Sequence, residues 1–169
     1  MDVRRYHVPG AVYFTTCVNL NRQPLFSKTE NAVLLMDTLS GVGEFHPHRL
    51  HAYVILPDHF HFLIEPFDCT LSKIIQSLRR NFALNYKRHY RIQENLTLAQ
   101  HRFYDHVIRN ERDLAKHFDY IHYNPVKHGL TRKPEEWPHS SYRDFILKGH
   151  YEIGWGWMEI PGIRGMNPE

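Results

Sequence analysis

The sequence predicts a single α+β domain in which helices pack against an antiparallel sheet. Stretches rich in β-branched and aromatic residues alternate with stretches of helical periodicity. Hydrophobic residues make up 42% of the 169 positions and aromatic residues 14%, which is enough to build a core. We therefore expect one domain over residues 1–169, with a core at about 8–130 and a C-terminal extension at about 131–169.

The first half of the chain predicts three strands and one helix. Thr29 can cap the helix, and apolar residues follow it at helical spacing until Gly41, which is a plausible stop. Pro57 and Asp58 can form a bend between the second and third strands. The predicted elements are a strand at 10–20, a helix at 29–44, and strands at 49–56 and 59–65.

The second half predicts two helices and one strand. Thr70 can cap an amphipathic helix over 70–90, and residues 102–109 favour a fourth strand. Asn110 can cap a further helix, which Pro125 is expected to end. The order β-α-β-β-α-β-α contains a ferredoxin-like βαββαβ unit, with an antiparallel sheet and its helices on one face. A C-terminal helix and an irregular aromatic tail follow that unit.

Composition also limits the cellular setting. No apolar run is long enough to span a bilayer, and the N-terminus lacks the apolar core of an export signal. Cys17 and Cys69 lie far apart and match no zinc or disulfide pattern. We expect a cytoplasmic protein with reduced thiols and no membrane partner.

Positive charge is concentrated in the middle of the chain. Residues 73–116 contain ten Lys and Arg against four Asp and Glu, although the net charge of the whole chain is only +3. This distribution suits a polyanion bound on one face, but a solvated helix face gives the same pattern. The helix over 70–90 provides the candidate polyanion-binding residues Arg79, Arg80, Lys87 and Arg88.

Two histidines lie two residues apart in the stretch LPDHFHFLIEP. Side chains alternate along a strand, so His59 and His61 are expected to share one face while Phe60 and Phe62 anchor the other. Two imidazoles on one face can hold a divalent cation. The alternative is a pair of histidines on a solvated sheet face.

A second cluster of polar residues lies in DYIHYNPVKHG, over residues 119–129. Tyr120 and Asn124 are four residues apart and therefore share a helix face, which also includes Lys116. A tyrosine there could attack a metal-bound phosphodiester while the amide oxygen joins the metal. Tyr123 is the competing nucleophile candidate, and tyrosines that merely pack in an amphipathic helix are the structural alternative.

These motifs, taken together and in this order, resemble the single-tyrosine transposases of the HUH nuclease superfamily, and most closely their REP-associated branch. HUH denotes two histidines around a hydrophobic residue. The resemblance covers most of the chain and also includes Arg-Arg-Tyr near the N-terminus, the first-strand stretch that ends in CVN, Trp-Pro, and Ser-Ser-Tyr. Those further residues are Arg4, Arg5, Tyr6, Trp137, Pro138, Ser140, Ser141 and Tyr142.

The resemblance implies a specific chemistry. His59 and His61 would bind Mg²⁺ or Mn²⁺, with Asn124 as a third ligand and Tyr120 as the nucleophile. Tyr120 would displace a 3′ oxygen of single-stranded or hairpin DNA and form a 5′-phosphotyrosine link that a second 3′-OH can reverse. The protein would act in the cytoplasm at the nucleoid, as a monomer or a homodimer. Arg4, Arg5 and Tyr6 could contact bases beside the hairpin.

Two other functions remain open on the residues alone. The chain could be a phosphohydrolase that uses the histidine pair on small nucleotides, with Tyr120 in a structural role. It could also be a non-catalytic domain that binds single-stranded nucleic acid on its sheet.

Overall fold

The computed structural model describes residues 8–168. The expected DNA contacts at Arg4, Arg5 and Tyr6 lie outside these residues. The helices and strands are β1 (Tyr13–Val18), α1 (Thr29–Phe45), β2 (His48–Ile55), β3 (His59–Pro66), α2 (Leu71–Tyr90), β4 (Tyr104–Val107), α3 (Glu111–Lys127) and α4 (Tyr142–Leu147).

The four strands form one antiparallel sheet in the order β2-β3-β1-β4. This is the strand order of a ferredoxin-like βαββαβ unit, so the predicted fold class is confirmed. β1 and β3 occupy the centre, where both faces of the sheet can be covered. The β3 side chains are therefore buried along nearly the whole strand.

The two faces of the sheet have separate hydrophobic clusters. On one face, α1 and α2 pack against Phe60, Phe62 and Ile64 of β3. On the other face, Phe14 of β1 and Leu63 of β3 pack with α3 and with parts of the C-terminal tail. α3 thus lies opposite the two helices of the βαββαβ unit. The face that carries the histidines is covered by α3 rather than by solvent.

α1 matches the predicted length, but it continues past the predicted stop at Gly41 and its expected cap is absent. Thr29 is the first helical residue, and the preceding Lys28 makes no side-chain capping bond. The helix passes through Gly41 because Val42 continues the buried face that Leu35 and Leu39 begin. Apolar burial one turn further on outweighs the cost of an exposed glycine inside a helix, about 1 kcal/mol.

The caps of α2 and α3 agree with prediction, but the end of α3 does not. The side chain of Thr70 accepts a hydrogen bond from the amide of Lys73, and that of Asn110 accepts one from Asp113. Pro125 was expected to end α3, yet the helix continues to Lys127. A proline in the last turn removes a single helical hydrogen bond, and Pro125 is itself buried, so the turn still closes.

The tail from residue 128 onward crosses back over the α3 side of the sheet. Ser140 forms an isolated β-bridge with Val54 of β2, and Ile163 is buried in the cluster around α3. None of the helices within residues 8–168 has the length and apolarity to span a membrane.

Candidate active site

The centre of the candidate site is the histidine pair on β3. His59 and His61 project from the face opposite Phe60 and Phe62, as the alternation predicts, and both imidazoles are almost fully buried. Their ring centroids are 4.9 Å apart. The sequence alternative of a solvated sheet face does not match this burial, because α3 covers the pair.

Each imidazole is oriented through its Nδ1 atom. Nδ1 of His61 is 2.8 Å from the hydroxyl of Thr16, and Nδ1 of His59 is 2.6 Å from a carboxylate oxygen of Asp58. Contacts of this kind fix the ring and are typical of metal-binding histidines, which then present Nε2 to the ion. This role of Asp58 was not among the sequence predictions, although Asp58 directly precedes His59.

The carboxylate of Asp58 is well suited to hold His59. Burial raises its pKa, but hydrogen bonds from His59 and Arg22 outweigh burial, so the pKa lies below its ordinary value. Arg22 donates to the second carboxylate oxygen at 2.9 Å. Asp58 therefore stays ionised at neutral pH and keeps a hydrogen-bond acceptor beside His59.

α3 places Tyr120 directly against the histidine pair. The ring of Tyr120 meets that of His61 edge to face at 5.4 Å between centroids, and that of Phe14 at 5.8 Å. The side chain is fully buried. One chain thus brings together the histidine pair and the tyrosine that the sequence analysis selected from a segment about 60 residues away.

Asn124 lies one turn after Tyr120 and is also fully buried. Within residues 8–168, neither its amide nitrogen nor its amide oxygen has a hydrogen-bond partner. A buried polar group in this state costs about 1–3 kcal/mol, so its presence calls for an explanation. An amide oxygen is a ligand that Mg²⁺ and Mn²⁺ accept, so the side chain fits the expected third ligand.

A lysine that the sequence analysis did not select contacts the tyrosine. Nζ of Lys127 donates to the Tyr120 hydroxyl at 3.1 Å and to the backbone carbonyl of Met166 at 3.0 Å. Lys116, the lysine expected on this face, is exposed one turn before Tyr120. The seven-residue spacing of Tyr120 and Lys127, two helical turns, was the signal that could have identified the contact.

Tyr123 has a different environment from Tyr120. It is half-buried among tail residues, and its ring lies beside Gly156, which adopts a left-handed φ of +78°. A Cβ on Gly156 would come within 2.6 Å of Pro134. Because the tail is packed closely here, Tyr123 serves as a contact surface for the tail.

A chain of hydrogen bonds ties α3 to the tail and to β2. Nε2 of His122 is 2.8 Å from the Ser141 hydroxyl, and Nδ1 is 2.9 Å from the Tyr151 hydroxyl. Tyr151 donates to Asp119, and Ser141 accepts from the amide of Tyr53. Burial lowers the pKa of His122 to about 3, so the imidazole is neutral in the folded protein.

A second group of polar residues lies between β4 and the start of α3. His106 and His117 flank Asp113, and the cluster is compatible with a divalent ion. The residues are also joined by hydrogen bonds: Nε2 of His106 is 2.8 Å from Asp113, and Nδ1 of His117 is 2.8 Å from the Asp113 carbonyl. The two imidazole rings stack within 16° of parallel, with their centroids 4.8 Å apart.

The predicted basic residues of α2 differ in their surroundings. Arg79 donates to the carbonyls of His101 and Arg102, so it holds the loop before β4 against the helix. Arg80 and Arg88 are exposed, and Lys87 is half-buried. A groove of ≈ 580 Å³ lies between α2 and this loop, and its lining includes Arg79, Arg80 and Phe103.

Comparisons with known proteins agree with the geometry. A family model described as "Transposase IS200 like" matches residues 8–124, more than half of the chain. The REP-associated tyrosine transposase of Escherichia coli (strain K12) is 31% identical over 156 residues, covering 91% of this chain and 90% of that protein. A relative in Haemophilus influenzae is 31% identical over 173 residues, covering 97% and 98%.

A solved structure supports the same assignment. A REP-associated tyrosine transposase bound to a REP hairpin superposes with a TM-score of 0.78, at 27% identity and with 96% of each chain covered. The similarity therefore extends through the sheet, α3 and most of the tail.

The hydrogen-bond chain between α3 and the tail gives a prediction about stability. Ser141→Ala removes the hydroxyl that contacts His122 and leaves the amide of Tyr53 without its acceptor. We expect the free energy of unfolding to fall by about 1–3 kcal/mol, measured by urea denaturation. Ser40→Ala, at an exposed position of α1, is the control and should stay within about 0.5 kcal/mol of wild type. An equal effect of the two substitutions would contradict the role of Ser141.

Proposed function

This chain belongs to the family of IS200-like transposases, and on that premise we propose that it cleaves and rejoins single-stranded DNA through a 5′-phosphotyrosine intermediate. The observation that carries the proposal is the convergence of a buried tyrosine on a buried histidine pair. Tyr120 contacts His61 on a face that also has Asn124 one helical turn away. In a phosphohydrolase with a purely structural Tyr120, the hydrogen bond from Lys127 to the phenol oxygen would play no part in the reaction.

His59, His61 and Asn124 are the residues that would hold a divalent ion, Mg²⁺ or Mn²⁺. The fit rests on the buried amide of Asn124, which lacks a hydrogen-bond partner in the described part of the chain, and on the Nδ1 contacts that orient both imidazoles. When bound, such an ion neutralises the charge of a scissile phosphate. Asp58 and Thr16 are positioning residues, since each holds one ring in place.

Tyr120 is the proposed nucleophile. Its phenol oxygen forms a bond to phosphorus while the bond from phosphorus to the 3′ oxygen breaks. The phenol proton passes to water, and the departing 3′ oxygen takes up a proton to become a 3′-OH. A second 3′-OH can later attack the same phosphorus and release the tyrosine, so strands are joined without another energy source.

The DNA substrate is proposed to be a single strand beside a hairpin. The structural relative was solved with a REP hairpin, and a phosphodiester inside a duplex is poorly accessible to a buried tyrosine. The exposed Arg80 and Arg88, with Lys87, form the proposed phosphate track on α2, and Lys116 of α3 is a separate proposed DNA contact. Phe103 also lines the adjacent groove, where the guanidinium of Arg79 lies over its ring at 5.3 Å.

A single chain holds all of the proposed catalytic residues. Tyr120 and the histidine pair come from the same copy, so a monomer can complete the site, although a homodimer remains compatible with the sequence. We propose that residues 1–169 act as one unit, with the extension from about residue 131 securing α3. Action on DNA would place the protein in the cytoplasm, at the nucleoid.

Three predictions test this function, and the first concerns the nucleophile. Tyr120→Phe removes only the attacking oxygen, so the variant should bind a hairpin with a single-stranded flank yet form no covalent adduct in Mn²⁺. Adducts are scored by denaturing electrophoresis of end-labelled DNA. Tyr123→Phe is the matched control and should form the adduct at a rate similar to wild type. The assignment fails if Tyr120→Phe retains the adduct and Tyr123→Phe loses it.

The second prediction concerns the metal. His61→Ala should reduce cleavage by about 10²-fold or more while leaving most of the hairpin affinity, because it removes a ligand and not a DNA contact. His46→Ala, at the end of α1, is the control and should cleave normally. Mn²⁺ titrations should show saturation in wild type and none in His61→Ala. Normal cleavage by His61→Ala would exclude the histidine pair from the reaction.

The third prediction concerns the phosphate track. In Arg80→Gln/Arg88→Gln, the slope of log affinity against log salt concentration should decrease by about 0.7 for each lost contact to single-stranded DNA. Fluorescence anisotropy of a labelled hairpin at several salt concentrations measures this slope. Lys148→Gln, at an exposed position of the C-terminal tail that is not part of the proposed phosphate track, is the control. An unchanged slope in the double variant would place the DNA elsewhere.

A further inference from the structure

We propose that Lys127 is a catalytic residue of this chain and that the C-terminal segment around Met166 holds it in place. This inference rests on the proposed function, in which Tyr120 is the nucleophile. Lys127 lies beyond the region that the family model matches, residues 8–124. The segment that positions it lies 39 residues further along the chain.

The contact between the lysine and the reacting oxygen is direct. Nζ of Lys127 is 3.1 Å from the Tyr120 hydroxyl and 4.7 Å from the centroid of the Tyr120 ring. The two residues are two turns apart on α3, so the helix itself sets their relation. Since an ammonium group only donates, the phenol oxygen must be the acceptor, and its own proton points away from the lysine.

The tail fixes the other side of the ammonium group. The carbonyl of Met166 accepts a second hydrogen bond from Nζ at 3.0 Å. This segment is anchored nearby, because Ile163 is only 6% exposed and belongs to the same cluster as Tyr120 and Ile121. A lysine held between two acceptors loses the conformational freedom that a surface lysine retains. Its positive charge therefore stays beside the phenol oxygen of Tyr120.

The position of this charge matches the needs of the reaction in both directions. As the phenol oxygen attacks phosphorus it loses its proton, and a donor already on that oxygen stabilises the negative charge that develops. When a 3′-OH reverses the link, the same oxygen departs and again carries negative charge. Lys127 is therefore expected to accelerate both cleavage and rejoining.

The test compares three substitutions of Lys127 in the full-length protein. Adduct formation is followed in single turnovers with saturating hairpin DNA and Mn²⁺, and rejoining by adding a 3′-OH strand to the isolated adduct. Lys127→Met removes charge and donor and should slow both steps by about 10²–10³-fold. Lys127→Gln keeps a neutral donor and should lie between Met and wild type, and Lys127→Arg should recover most of the rate.

Hairpin affinity separates catalysis from binding. Lys127→Met should bind the hairpin within about threefold of wild type, because the loss concerns an oxygen of the protein and not a phosphate contact. Lys148→Met, which removes an exposed lysine of the same chain, is the control and should leave both rates unchanged. Wild-type rates in Lys127→Met, or a loss confined to affinity, would overturn the proposal.

Failure of this inference can be distinguished from failure of the proposed function. If Tyr120→Phe abolishes the adduct while Lys127→Met forms it normally, the nucleophile stands and only the role of Lys127 is wrong. If wild type forms no adduct, or if Tyr120→Phe still forms one, the proposed function fails and the inference fails with it.

A double-mutant cycle tests the role of the tail. Ile163→Ala loosens the anchor near Met166 and should slow adduct formation in wild type. In the Lys127→Met background the same substitution should have little further effect, because the residue that the segment positions is gone. An equal slowing in both backgrounds would show that the tail acts through general stability, and would overturn its positioning role.

Discussion

The site depends on the packing of α3 against the central strand of the sheet, where the ring of Tyr120 meets that of His61 at 5.4 Å. β3 can carry this contact because its side chains alternate. Phe60 and Phe62 pack under α1 and α2, so the imidazoles of His59 and His61 must lie on the opposite face. A one-residue slip of β3 would reverse both faces and bury the histidines in the wrong cluster, so the register of β3 is a requirement of the proposed chemistry.

The tail makes this packing specific. His122 is neutral and buried, and its two ring nitrogens contact Ser141 and Tyr151 on either side of a short helix. A fully connected polar network inside a protein favours one arrangement, because each alternative leaves a buried group unsatisfied. α3 is thereby held at one rotation and one height over the sheet. That placement puts Tyr120 on the histidines and Tyr123 against the tail.

Local sequence patterns predicted much of the fold and of the candidate site, but they did not predict contacts between residues that are far apart in the sequence. Alternation along β3 placed His59 and His61 on one face, and helical spacing placed Tyr120 with Asn124. The contact of Lys127 with Met166 depends on a return of the chain over 39 residues, which no local period reveals. The end of α3 was also mispredicted, because burial of Pro125 outweighs its usual effect on a helix.

The most direct test of this account is to identify the tyrosine that becomes linked to DNA. Trypsin cleaves after Lys116 and Lys127, so a single peptide, residues 117–127, contains both Tyr120 and Tyr123. The wild-type adduct is digested with nuclease and trypsin, and fragmentation of this peptide in a mass spectrometer locates the remaining nucleotide. The account predicts a nucleotide attached through its 5′ phosphate to Tyr120. A nucleotide on Tyr123, or on any residue outside this peptide, would contradict it.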